Sequence, residues 1–267
     1  MAGNNNTSGT SQPESQVCVV PQKITNKFKI MMSKACKAQK MVLLKRADDI
    51  MSWEGEQQRD FIKVFGLKGE GIIKIRKVGE DTGKRIQARL FIMDGIRRIM
   101  TIANGLTIES YKDYTNCNEF AAFISPHLDP PYIVNIGAHF EYRHGIKQSV
   151  TGRDSHVSTL CHEMFHIFWY WGDNQKGGMW TQDYTGINKF ATSNKDEVSY
   201  EKHVSVANDL VTLRKDQLFE NAYNVERYFY IKLNDEDIEA QDENMLAKKV
   251  EDKIKEIEKC FDELMGK

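Results

Sequence analysis

The run Thr159-Leu-Cys-His-Glu-Met-Phe-His-Ile-Phe-Trp169 decides how this chain is read. At 3.6 residues per turn, His162 and His166 stand one above the other on a single helical face, where their imidazoles can hold one metal ion together. Glu163 projects beside that ion and can take a proton from water, the arrangement written HExxH in metalloproteases. Asp154 or Ser155 can cap the helix start, Val157 to Trp171 lacks Gly and Pro, and Gly172 supplies a stop. The plainer alternative is an amphipathic core helix whose histidines hydrogen-bond internally. Two stacked histidines enclosing a glutamate are, however, costly to bury without a metal or other partners.

Outward from this helix, Phe120 to Ser125 and Tyr132 to Ile136 are short β-rich runs separated by Pro126, Pro130 and Pro131. They predict a small sheet just before the zinc helix, where an extended substrate can pair with a strand. Further upstream, Lys27 to Arg59 carries helical periodicity and predicts two helices, punctuated by Val64 to Gly71. Gly83 to Ala103 fits a third, with Ile86, Leu90, Met93, Ile96 and Met100 at threes and fours and Asn104-Gly105 closing it. Downstream, Asp173 to Asn188 is a polar loop, and helical patterns run from Glu197 to Leu213 and from Gln217 to Tyr230. Leu246, Val250, Ile254, Ile257, Phe261 and Leu264 mark one apolar stripe on a charged terminal helix that can pack on the body or, less simply, take a partner.

The 267 residues suffice for one substantial core, and 40% hydrophobic with 28% charged residues is ordinary for a globular chain. A formal net charge of -1 gives no basic footprint for nucleic acid. The longest apolar runs fall far short of the ~20 residues of a membrane helix, so no span is expected. Met1 to Gln16 has neither a basic nor an apolar signal region and reads as a disordered arm without a classical signal peptide. The five cysteines, Cys18, Cys36, Cys117, Cys161 and Cys260, form no CxxC pair, and neither a disulfide framework nor a cysteine zinc knuckle follows.

Catalytic zinc takes three protein ligands and keeps a position for water. Asp173, Asp183, Asp196, Glu197, Glu201 and His203 all lie downstream of the histidines, and spacing does not choose among them. Here the residues resemble a known family. Asp154-Ser155 before the zinc helix, Thr181-Gln-Asp-Tyr184, Asn221-Ala-Tyr-Asn-Val-Glu-Arg-Tyr-Phe229 and Tyr132 to Phe140 are similar to segments of the aspzincins, the deuterolysin and peptidyl-Lys metalloendopeptidases. The likeness covers roughly residues 60–230.

The resemblance implies zinc held by His162, His166 and Asp183, with Glu163 as general base. It implies an α+β, mainly α fold, a zincin-like helical domain with a small sheet ahead of the HExxH helix. The chain departs from the family pattern at three points. The gap from His166 to Asp183 is long, which keeps Asp173 as a rival ligand. Gly186 stands where the family places a transition-state tyrosine, with Tyr184 the nearest replacement. Tyr223 stands where lysine-specific members carry an acidic pocket residue, so it becomes the substrate-binding candidate and lysine specificity is not expected.

Together these readings divide the chain into an arm (1–24), a metalloprotease domain (25–235, helical to about 115) and a charged terminal helix (236–267). The expected activity is zinc-dependent endopeptidase cleavage of proteins or peptides. A catalytically degenerate zinc-binding or partner-binding module, or a zinc hydrolase of non-peptide bonds, is the alternative. Cytoplasmic residence or export by a specialised route follows from the missing signal features, with an inhibitor or export partner as a possible companion.

Overall fold

The computed structural model describes residues 20–75, 84–117, 120–124, 130–167, 179, 181–191 and 198–265. The expectations resting on Met1 to Gln16, Asp173, Asp196, Glu197 and Gly172 lie outside these residues. The architecture is mixed α+β and mainly helical, with several small sheets.

Helix α1 (Asn26–Ser52) starts where the Thr25 hydroxyl accepts from the Phe28 amide at 3.2 Å, and α2 (Gly55–Phe65) follows after Trp53 turns the chain at φ 49. The two helices expected from the periodicity of this stretch are therefore both present, the second running past Arg59 to Phe65. A hairpin of β1 (Ile72–Ile75) and β2 (Lys84–Gln87) precedes α3 (Ala88–Gly105). The third helix thus starts five residues later than its periodicity suggested. Ile86 is the reason, because the same residue that fits a helical stripe also pairs with Ile73 across the hairpin.

A three-stranded sheet comes next, built from β3 (Tyr111–Tyr114), β4 (Ala122–Ile124) and β5 (Val134–Gly137) in the order β3-β5-β4. β5 runs parallel to β3 and antiparallel to β4. Gly137 ends β5 where a Cβ would lie 2.3 Å from the Phe120 carbonyl oxygen, so the tight approach of the two backbones requires glycine. A short helix α4 (Ala138–Glu141) and a two-residue ribbon of β6 (Tyr142–Arg143) and β7 (Ile146–Lys147) lead to the histidine-bearing helix α5 (His156–Phe165). Beyond it come the hairpin β8 (Tyr184–Gly186) and β9 (Lys189–Phe190), α6 (Tyr200–Thr212), α7 (Ala222–Val225), α8 (Asp235–Glu239) and α9 (Glu243–Met265).

The expected helix over Gln217 to Tyr230 is broken into a 3-10 turn at Asp216–Glu220, α7, and a second 3-10 turn at Glu226–Phe229. Asn221 makes the break: it is extended (φ -106, ψ 117), and it bridges to Gln182 as a strand residue would. α1, α3 and α9 pack together, with Leu246, Val250 and Ile257 of α9 fully or almost fully buried. The apolar stripe of the terminal helix is therefore used against the body up to Phe261, with Leu264 exposed. No described helix is long and apolar enough to cross a membrane. Among the described residues Cys36, Cys161 and Cys260 are free, whereas Cys117 is disulfide-bonded, which the scattered cysteine spacing did not predict.

Candidate metal centre

Ser155 is the cap that starts α5. Its hydroxyl accepts from the Ser158 amide at 3.2 Å while the Ser158 hydroxyl accepts from the Ser155 amide at 2.8 Å, a reciprocal capping box. Asp154, the other cap candidate, instead turns the chain at φ 48 and accepts from the Tyr200 hydroxyl. The helical residues end at Phe165, with His166 and Ile167 tightening to amide bonds onto Glu163 and Met164, short of the expected end at Trp171. His166 keeps a helical backbone (φ -73, ψ -11), so the i, i+4 stacking of the two imidazoles survives, with ring centroids 4.8 Å apart.

Asp183 arrives on a loop held by backbone pairing. The Gln182 amide donates to the Glu220 carbonyl (2.8 Å) and the Ala222 amide to the Gln182 carbonyl (3.1 Å). The Asn221 side chain accepts from the Tyr184 amide at 3.3 Å and donates to Asn224 at 2.6 Å. The Asn-Ala-x-Asn segment thus has a mechanical task, fixing the aspartate loop against α5. Asp183 Oδ1 lies 3.2 Å from His162 Nε2 and its Oδ2 lies 3.5 Å from His166 Nε2. Among the described residues, His162, His166 and Asp183 form a group able to hold a metal, one ligand atom from each lying within 4.8 Å of the others.

The outer nitrogens of both imidazoles are committed. His166 Nδ1 is 3.2 Å from the Thr181 carbonyl oxygen, which can only accept, so the proton sits on Nδ1 and Nε2 is left for a metal. His162 Nδ1 likewise donates to Glu226 Oε2 at 2.9 Å. Glu226 takes its second hydrogen bond from the Tyr230 hydroxyl, 2.5 Å from Oε1.

Burial alone would depress the basicity of both histidines. The Asp183 carboxylate outweighs it, assisted by Glu226 at His162, and holds both imidazoles above the usual histidine range, while the two imidazoles hold Asp183 well below the carboxylate range against its own burial. Glu163 is pushed up to about 7, mainly by burial and despite the two histidines.

Such a network has two self-consistent forms. In one, protonated imidazoles pair with the carboxylates; in the other, neutral imidazoles and Asp183 hold a dication. Ligands at ~2.1 Å around a tetrahedral zinc are about 3.4 Å apart, a spacing that the 3.2 and 3.5 Å contacts bracket. One feature bears on the choice: with the His162 proton on Nδ1, Asp183 Oδ1 is buried and accepts no hydrogen bond although His162 Nε2 is 3.2 Å away. A buried carboxylate oxygen lacking a hydrogen bond is expensive, and a metal ion relieves that cost. The donor set therefore fits zinc.

Tyr223 stands partly buried beside this centre. Its ring is edge-on to His162 at 4.7 Å and stacked on His203 at 4.6 Å and 12°. The buried His203 donates from Nδ1 to the Tyr184 carbonyl at 3.0 Å, and it joins no ligand group. Tyr184 follows Asp183 in an extended segment, where successive side chains take opposite faces. Its hydroxyl donates to Glu220 at 3.2 Å and its ring packs on Phe190. Glu201, another ligand candidate, is exposed on α6.

Sequence reasoning did not assign Glu226 as the partner of His162. The signal available was the general habit of metal-bound histidines to donate their second N–H to a carboxylate, combined with an acidic residue inside the apolar Val-Glu-Arg-Tyr-Phe run. Compared with known proteins, the chain matches no protein-family model, no curated protein and no solved structure. The functional reading therefore stands on the residues and their geometry.

Proposed function

We propose that this chain is a zinc-dependent endopeptidase with an aspzincin-like site in a zincin-like arrangement. The observation that carries the reading is the convergence of His162 Nε2, His166 Nε2 and the Asp183 carboxylate, with the buried carboxyl of Glu163 one residue along the same helix. Zinc held there would acidify water and polarise a scissile carbonyl. Glu163 is the group that accepts the water proton and returns it to the leaving amine. Its burial keeps the carboxyl beside the ligand group and away from competing solvent.

β4 supports a peptide as substrate. It is an edge of the three-stranded sheet, the far edge at β3 being bridged by Gln22 through Asp113, and the Ile124 backbone of β4 reaches Glu163. An extended chain added to β4 would run past the general base. The disulfide at Cys117 favours an oxidising destination, in keeping with export by a specialised route and with an inhibitor or export partner in the producing cell.

Glu163→Gln keeps the side-chain shape and cannot accept the proton. Zinc content and folding should be preserved while cleavage of casein or a peptide library falls about 10² to 10⁴-fold. Cleavage at the parent rate by this variant would remove Glu163 from the role of base.

The second reading, a zinc-binding module without turnover, is favoured by Gly186 in the family's tyrosine position and by the commitment of the Tyr184 hydroxyl to Glu220. A parent protein that binds zinc and cleaves nothing across a broad library would establish it.

A further inference from the structure

We propose that Glu226 and Tyr230 form a positioning pair that fixes His162 as a metal ligand, an inference that rests on reading His162, His166 and Asp183 as a zinc site. Glu226 is 7% exposed, and both of its oxygens are used on opposite sides. Oε2 takes the Nδ1 proton of His162 at 2.9 Å, and Oε1 takes the Tyr230 hydroxyl proton at 2.5 Å. A carboxylate bound in this way makes Nδ1 the protonated nitrogen and turns the Nε2 lone pair towards Asp183. It also makes that lone pair a stronger donor, because negative charge next to the N–H stabilises positive charge on the ring.

The support is rigid for a local reason. Glu226 and Tyr230 are four residues apart, spanning the 3-10 turn Glu226–Phe229 and the residue after it, and the turn packs directly on α5. Rotation of the carboxylate would break both bonds at once. The Tyr223 ring, edge-on to His162, closes another side of the imidazole. His166, by comparison, leans on the neutral Thr181 carbonyl at 3.2 Å, so the two metal-facing histidines are supported by different chemistry. Glu226 also lines a cleft of ≈ 640 Å³ together with Tyr200, Tyr223 and Tyr230.

The test is zinc affinity by chelator competition on the full chain, with melting of the metal-free protein as the folding control and the absorption spectrum of the cobalt(II)-loaded protein as the geometric readout. Glu226→Ala should weaken zinc binding about 10- to 100-fold and shift the cobalt spectrum. Glu226→Gln keeps an acceptor for the Nδ1 proton but loses the charge, so its affinity should fall between Ala and parent with the parent's spectrum. Tyr230→Phe should weaken binding by a few-fold.

If Glu226→Ala fails to fold, the two near-isosteric variants carry the test. Equal zinc affinity in parent, Glu226→Gln and Tyr230→Phe would overturn the proposal, whatever their melting temperatures. A parent that takes up neither zinc nor cobalt would instead overturn the metal reading itself, and the positioning pair with it.

Discussion

Two of the buried charge clusters among the described residues are built on opposite plans. In α3, Asp94 accepts from Arg97 at 3.0 and 2.8 Å and from Arg98 at 2.8 Å, all within one turn of one helix, and Glu258 of α9 meets Arg97 at 3.3 Å. Two cations face two anions, and none of these four side chains has a buried polar atom lacking a partner. The His162, His166, Asp183 and Glu226 cluster is gathered from segments up to 64 residues apart, brings carboxylates to imidazoles, and leaves Asp183 Oδ1 buried without a hydrogen bond. A closed network explains itself as structure. An open one, held at comparable cost, points to something that completes it.

The comparison breaks most visibly in the helical cluster. Asp94→Asn keeps the shape but removes the carboxylate that both buried guanidiniums share, leaving Arg97 with Glu258, so the variant should lose about 3 to 5 kcal/mol of unfolding free energy in denaturant titration. Zinc binding by its folded fraction should be unchanged. A loss under about 1 kcal/mol would show that the α3 network is not the structural member of the pair.

A third buried group sharpens the contrast by titration. His156 opens α5 stacked on Phe140 at 4.4 Å with its ring nitrogens buried, and burial pushes it down to about 4. Its proton binds the unfolded chain near pH 6.5 and the folded chain only near 4, so the stability is intact above about pH 6.5 and is lost as pH falls towards 4. The full loss is about 3 kcal/mol. His156→Phe should remove this component, so that the gap between parent and variant stability changes by roughly that amount from pH 7 to pH 4. Parallel stability curves would contradict the burial of a neutral imidazole.

The smallest effect concerns selection of substrate. Tyr223 offers an aromatic wall worth about 0.5 to 2 kcal/mol to a cation, and the nearby carboxylates Glu220 and Glu226 are engaged by Tyr184 and by His162 with Tyr230. Cleavage sites, read by sequencing the termini of digestion products, should therefore not be confined to lysine. Cleavage strictly beside lysine would show that one of those carboxylates leaves its partner for the substrate.

The legible parts of the fold were those whose signal is local. The helices α1 and α9 announce themselves by spacing, and the start of α5 by the cap candidates Asp154 and Ser155, of which the structure uses Ser155. The β1–β2 hairpin was hidden because Ile86 satisfies both a helical and a strand pattern, and only the cross-strand partner Ile73 distinguishes them. The break at Asn221 was hidden because its cause, Gln182, is distant in sequence. At the site, the two histidines and Glu163 follow from helical spacing, whereas Asp183 was reached through family likeness and Glu226 through neither. Each of these acids is brought in by tertiary pairing, which spacing along one helix does not encode.

The central claim, that the open cluster is completed by a metal, is tested most directly by equilibrium dialysis of the purified chain against zinc, beside Asp183→Ala and with Asp94→Asn as the control from the closed cluster. One zinc per chain in the parent and in folded Asp94→Asn, with none retained by folded Asp183→Ala, is the result expected. A parent that binds no zinc, or an Asp183→Ala variant that holds it as tightly as the parent, would contradict the account.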